Sequence, residues 1–143
     1  MALKSYTTEV SASQTVGEIQ QILASAGASR IMIEYENLRP QSISFILIDR
    51  GHAIPFRLVA NPNAVQAVLI EDEVQRKFRT LEHAERVAWR HLRDWIDAQI
   101  AIMRTGQASA AQLLLGFAVM NDDETLYDRI TSESGRKLLA EHL

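Results

Sequence analysis

All three prolines of this 143-residue chain lie in its first 62 positions, at Pro40, Pro55 and Pro62. Proline lacks a backbone donor and clashes with the preceding helical turn, so it bars the interior of a helix. From Asn63 to Leu143 nothing forbids helix, while the earlier part must find another arrangement. That asymmetry predicts a mixed N-terminal part, 1–60, and a helical part, 61–143. The expected class is α+β: an N-terminal helix, a three-stranded antiparallel meander, and a helical C-terminal half packed on the sheet. Either part alone would have a small core, so residues 1–143 are read as a single domain.

The pattern within each part gives the elements. Residues 1–12 read as a short strand or an arm. Thr15-Val-Gly-Glu18 fits a capping box, and Val16, Ile19, Ile22 and Leu23 make one apolar stripe, predicting a helix over 15–26 that stops at Gly27. Ile31, Ile33 and Tyr35 then alternate with Met32, Glu34 and Glu36; Ile43, Phe45 and Leu47 with Ser44, Ile46 and Ile48; and Ile54, Phe56 and Leu58 with Pro55, Arg57 and Val59. The first set in each case is the expected buried face of a meander. Turns are expected at Asn37-Leu-Arg-Pro40 and Asp49-Arg-Gly-His52. The opposite face carries Met32, Ile46, Ile48 and Val59, apolar enough to predict a covering partner surface and a homo-oligomer.

Asn61-Pro62 starts the next helix, since Asn can cap and proline at the first helical position loses no hydrogen bond. The charged stretch 71–79 is compatible with one long helix or with two and a joint. A helix over about Thr80–Met103 follows, ended by Thr105-Gly106. Further helices are expected over Gln107–Met120, after a capping box at Asn121-Asp-Asp-Glu124, and over Ser134–Leu143.

The helix from Thr80 has two unlike sides. Arg79, His83, Arg86, Arg90 and Arg93 recur every three or four residues and fall within an arc of roughly 80°, as a row about 20 Å long. Leu81, Ala84, Ala88, Leu92, Trp95, Gln99 and Ile102 centre opposite. Arginine's forked donors suit phosphate or carboxylate, and Arg57 of the third strand is placed to join the row. Trp89, at the edge of the apolar face, is a candidate platform for stacking a base. The plainer alternative is a solvated face balanced by Glu82, Glu85, Asp94 and Asp97 at helical spacing.

The formal charge of −3 excludes a bulk polycation, but between Arg76 and Arg93 six Arg or Lys stand against two Glu. A local basic patch is therefore compatible with an acidic whole. The chain has no cysteine, which excludes disulfides and thiolate chemistry. The histidines His52, His83, His91 and His142 have no ligand spacing, and neither a phosphate-binding glycine pattern nor a nucleophile elbow is present. The expectation is a binding protein without catalysis, cofactor or metal. Met1-Ala-Leu-Lys-Ser-Tyr6 has no apolar core of a signal sequence and no run is long enough to span a membrane, so the cytoplasm is the expected location.

Ile43-Ser-Phe-Ile-Leu47, Ile54-Pro-Phe-Arg-Leu58, Ala84-Glu-Arg-Val-Ala-Trp-Arg90 and Asp94-Trp95 together resemble a group of small proteins carried by bacteriophages and mobile elements. Thr15-Val-Gly-Glu-Ile-Gln20 and Thr125-Leu-Tyr127 extend the resemblance over most of the chain. It implies a phage or prophage setting, hence the host bacterial cytoplasm, and no particular activity. Three antiparallel strands followed by a basic helix are also similar in topology to the core of phage single-strand annealing proteins of the Erf and Redβ type. That similarity implies single-stranded DNA held between sheet and helix. Leu81-Glu-His-Ala-Glu-Arg86 and Arg90 would form the helix side, and Arg57 the hairpin side. The resulting expectation is single-stranded DNA binding or annealing through Arg57, Arg79, Arg86, Arg90 and Arg93, with Trp89 stacking. The alternative is a counter-defence protein that sequesters a small anionic nucleotide signal or inhibits a host protein.

Overall fold

A computed structural model describes residues 1–142. Helix α1 (Ala12–Ser25) leads into strands β1 (Arg30–Glu36), β2 (Arg39–Asp49) and β3 (His52–Val59). Helices α2 (Pro62–Glu71), α3 (Leu81–Arg104), α4 (Ala110–Leu114), α5 (Leu126–Thr131) and α6 (Glu133–Arg136) complete the chain. The class is α+β, as expected, and the sheet is an antiparallel meander in the order β1-β2-β3.

Both hairpins turn through two residues whose backbones are left-handed. Asn37 and Leu38 have φ of 51° and 64°, and Arg50 and Gly51 have 51° and 81°. Such turns match the right-handed twist of the flanking strands. The first is thus tighter than expected, with Arg39 and Pro40 already in β2. Ile43 faces Leu58 and Ile33, and Phe45 faces Phe56 and Ile31. This inner face is covered by α1 and α3, through Val16, Ile19, Leu23, Trp89 and Ile96, and by Leu114 of α4. Tyr35 departs from the expected buried set: it is 57% exposed, at the end of β1 where the core thins out.

The helical half differs from expectation where tertiary hydrogen bonds compete with local preference. The segment 71–80 is a joint between two helices: Glu73 has φ of 55°, a 3₁₀ turn covers Arg76–Phe78, and Thr80 caps α3 by accepting from the His83 amide. The expected helix over 107–120 stops at Leu114 and continues as a 3₁₀ turn to Phe117. Ala118 then bridges to Phe56, and the Val119 amide donates to the Pro55 carbonyl. An open strand edge there outweighs a helical propensity worth only tenths of a kcal/mol per residue.

Two caps fall elsewhere than expected. Ser11, rather than Thr15, caps α1, accepting from the Gln14 amide. Thr15 is buried in the helix interior. Thr125 and Asp128 form the reciprocal box before α5, not Asn121 and Glu124. The expected final helix over Ser134–Leu143 is one turn, Glu133–Arg136; Leu143 lies outside the described residues.

Candidate functional site

The basic row of α3 faces a seam rather than open solvent. Helix α1 packs along one flank of α3 and α2 along another, so the first half of α3 is buried over a wide arc. Glu85, Val87 and Trp89 are buried there along with Ala84 and Ala88. His83, expected in the cationic row, is buried too, and its Nε2 lies 2.5 Å from the Tyr6 carbonyl. Trp89 is 0% exposed, which corrects its expected place at the edge of the apolar face. Its Nε1 donates to the Pro40 carbonyl at 3.3 Å. A ring with no open face offers nothing for a base to stack on.

Arg90 and Arg93 are joined by Glu18 of α1. Arg90 Nη1 donates to Glu18 Oε2 at 2.8 Å and to Thr15 Oγ1 at 3.3 Å. Arg93 Nε lies 3.5 Å from Glu18 Oε1, and its Nη1 lies 3.3 Å from Asp94 and 3.7 Å from Asp97. The hydrogen bond from Arg90 holds the Glu18 carboxyl below its ordinary range against the opposing effect of burial, and the charges of both arginines add to it. The same bond raises Arg90. The Thr15 and Glu18 pair, which reads as a cap in sequence, is therefore the receptor for this row.

The remaining basic residues are spread out. Arg86 reaches Glu82 one turn back at 3.3 Å. Arg57 sits on the other face of the sheet and grips Asp123, donating to its carboxylate at 3.0 Å and to its carbonyl at 2.6 Å. Arg79 ends the 3₁₀ turn before α3 and has no ion pair among the described residues; its carbonyl accepts from Gln66 at 2.9 Å. Arg86, Arg90 and Arg93 thus share a helix face, whereas Arg57 is separated from them by the sheet. The N-terminal arm crosses the flank of α3: His91 Nε2 lies 2.6 Å from the Lys4 carbonyl, and Lys4 Nζ lies 3.2 Å from Asp94. Tyr6 packs edge-on against Phe78.

A cleft absent from the sequence reading opens at the far end of the same seam. It has a volume of about 960 Å³ and lies between the C-terminus of α1, the β2–β3 hairpin, the C-terminal half of α3 and the start of α4. Ile22, Leu47, Ile100 and Met103 form an apolar wall, and Arg50 and Arg104 stand on the rim. Asp49, which also lines the cleft, is buried, and its carboxylate accepts from the Ala111 amide at 2.6 Å. That bond, with help from the Ser109 hydroxyl, holds Asp49 below the ordinary carboxylate range. Asp97, also at the cleft, is turned toward Arg93 at 3.7 Å. Both carboxylates are thus engaged, Asp49 also with Arg50, whose Nε lies 4.0 Å from its Oδ1, while Arg104 has no ion pair among the described residues. No signal in the sequence could have found this cleft, because its walls come from four segments far apart in the chain.

A smaller cleft of about 200 Å³ lies beside the start of α1 and is lined by Arg39, Glu85 and Arg86. The Glu85 side chain is only 10% exposed and lies 3.9 Å from Arg39 Nε. Burial raises its carboxyl above the ordinary range, with Arg39 opposing.

No protein family, curated protein or solved structure matches the chain. The class that the architecture defines is α+β, with one sheet face covered by helices. Among the described residues no helix is long and apolar enough to cross a membrane, and no cluster of three or more His, Asp or Glu is arranged to hold a metal ion.

Proposed function

We propose that the protein binds a small ligand that carries an anionic group on an apolar body, in the cleft between α1, the β2–β3 hairpin, α3 and α4. The observation that carries this reading is an apolar wall accompanied by two arginines: Arg104, with no ion pair among the described residues, and Arg50, exposed and 4.0 Å from an Asp49 carboxylate that already accepts from a backbone amide. The cleft volume of about 960 Å³ is within the range that buries most of a small ligand. A nucleotide signal is one instance of this chemistry, with its phosphate on the arginines. In a phage setting such a protein would act by sequestering the signal. The decisive experiment is calorimetric titration with nucleoside phosphates, acyl carboxylates and their uncharged analogues, beside the variant Arg50→Ala/Arg104→Ala. The expected outcome is saturable one-to-one binding of an anionic member, weakened roughly tenfold or more in the variant, which corresponds to about 1.4 kcal/mol. Binding equal for charged and uncharged analogues, or unchanged in the variant, would sink the reading.

The second reading is single-stranded DNA binding or annealing. Arg76, Lys77 and Arg79 favour it, since they lie together ahead of α3 with no ion pair among the described residues; Lys77 sits 4.9 Å over the Phe78 ring. The paired state of Arg57, Arg90 and Arg93 favours the small-ligand reading over it. Fluorescence anisotropy with labelled single strands of several lengths separates the two. Length-dependent binding that weakens steeply with salt, and that is lost on Arg76→Ala/Lys77→Ala/Arg79→Ala, belongs to DNA. One-to-one binding independent of length belongs to the cleft.

A further inference from the structure

The two edges of the sheet are treated differently. The edge of β3 is met by the segment after α4: Ala118 bridges to Phe56 and the Val119 amide donates to the Pro55 carbonyl. Beyond β1, no strand or bridge pairs among the described residues. β1 is seven residues long, Arg30–Glu36, so it presents a row of unpaired backbone donors and acceptors. Natural proteins cover, shorten or charge such an edge, because otherwise it templates pairing with another chain. The core also thins toward it: Ile31 and Ile33 are only half-buried and Tyr35 is exposed.

The charges on β1 have an arrangement that protection alone does not require. Its residues alternate between the inner face, Ile31, Ile33 and Tyr35, and the outer face, Arg30, Met32, Glu34 and Glu36. None of Arg30, Glu34 and Glu36 has an ion pair within the chain among the described residues. Every arginine of the α3 row from Arg86 onward, by contrast, has one. An antiparallel copy of the strand, related by a twofold axis at Ile33, would set Arg30 opposite Glu36 twice. It would set Ile31 opposite Tyr35 twice, Met32 opposite Glu34, and Ile33 opposite itself. Arg30 would also lie diagonal to Glu34 of the other copy, within reach of a long side chain. The bulge in the β1–β2 ladder leaves this alternation intact, because the extra residue, Gln41, is on β2.

We infer that β1 is the seam of a homodimer in which two copies pair edge to edge into one six-stranded sheet. Backbone groups left open in one copy are satisfied by the other, and the inner-face strip Ile31-Ile33-Tyr35 is extended by its own image. The self-complementary charge order fixes the register, and a twofold axis uses the β1 edge of both copies at once.

The test is sedimentation velocity on the full chain over a dilution series, with charge variants of β1. The natural chain is expected to be dimeric at concentrations of about 100 μM and to dissociate on dilution, as for an interface of modest size. Arg30→Glu puts like charges opposite each other twice, as does Glu36→Arg. Each alone is expected to weaken the dimer roughly 10- to 100-fold, since cross-strand charge pairs contribute up to about 1 kcal/mol each and like pairs oppose by a similar amount. Mixing the two variants restores both pairs in a heterodimer, and the mixed sample is expected to dimerise where neither component does. The double variant Arg30→Glu/Glu36→Arg restores both opposite pairs and is expected to dimerise more tightly than either single variant. It is expected to dimerise less tightly than the natural chain, because the glutamate introduced at position 30 then lies diagonal to Glu34. A monomeric natural chain at the top concentration would overturn the inference. So would unweakened dimers of both single variants, or a mixture no more dimeric than its parts. Loss of the dimer in Ile48→Lys with the β1 variants unaffected would also overturn it, by moving the interface to the outer sheet face.

Discussion

Replacing Glu18 by Gln removes one charge that two arginines share. The side chains of Glu18, Arg90 and Arg93 are 31%, 21% and 28% exposed, so the group is neither a surface pair nor a sealed one. Exposed pairs contribute up to about 1 kcal/mol, and breaking a buried pair costs about 3–5 kcal/mol. An intermediate figure of about 2 kcal/mol is expected, screened in part by the remaining solvent contact. Arg93 Nε is buried with no hydrogen-bond partner, so its nearest compensating charge disappears with Glu18. For a chain of this length a loss of that size lowers Tm by about 6 °C. The pH dependence has a definite sign. Glu18 is lowered from 4.5 in the folded state, so its contribution is complete above that value and is lost as pH falls through the folded-state value. Thermal and urea unfolding of Glu18→Gln beside the natural chain, at pH 7 and in steps below pH 4.5, would read this directly. The gap should be widest at neutral pH and narrow in acid. In the double variant Glu18→Gln/Arg90→Gln, the cost should be less than the sum of the two single variants. Equal stability at pH 7, or a gap that widens in acid, would refute the seam as an electrostatic clamp.

Leu38→Gly should stabilise the protein by roughly 0.5–1 kcal/mol, because Leu38 has φ of 64° in an exposed turn, a conformation that costs a non-glycine residue about 1–2 kcal/mol, offset in part by the greater freedom glycine loses on folding; unchanged or lower stability in urea would count against it. Gly135→Ala should detach α6 from α5, since a Cβ at Gly135 would meet the Arg129 carbonyl oxygen and come within 2.8 Å of Ile130 Cα. Hydrogen exchange over 126–136 should then rise while the sheet remains protected. Glu85→Gln should be at least as stable as the natural chain at neutral pH. Burial raises the Glu85 carboxyl, so the natural chain loses stability as pH rises from the unfolded carboxyl range through the folded value, and the amide does not. A pH-independent difference in urea unfolding would remove that explanation.

The sheet was legible because its signals are local. Alternation at Ile43, Phe45 and Leu47 set the buried face, and the turns lie between runs of that alternation. The start of α2 at Asn61-Pro62 and the end of α3 at Thr105-Gly106 were equally local. Readings failed where a partner distant in sequence decided. Thr15 and Glu18 spell a cap, yet Arg90 is 72 residues from Glu18 and claims both side chains. Ala118 and Val119 extend an apolar helical pattern, yet the edge of β3 draws them out. The periodicity of α3 located its arginines on one face but not what lies against that face. A helix flanked on two sides buries a wider arc than an amphipathic pattern implies, and that took in Trp89 and His83. The cleft was invisible for the same reason, being an absence of packing between four segments.

The division of the core between the meander and α3 also sets an order of events during synthesis. Residues 30–59 can pair as soon as they leave the ribosome, since every strand contact is with the next strand. The side chains that cover Phe45 and Phe56 from above include Trp89 and Ile96. They follow the end of β3 at Val59 by a delay of roughly 2–7 s at typical elongation rates. Through that interval α1 alone shields the apolar face, with Glu18 still lacking its arginines. The nascent chain is therefore most vulnerable to aggregation, and most dependent on chaperone protection, between completion of the last strand and the arrival of the long helix.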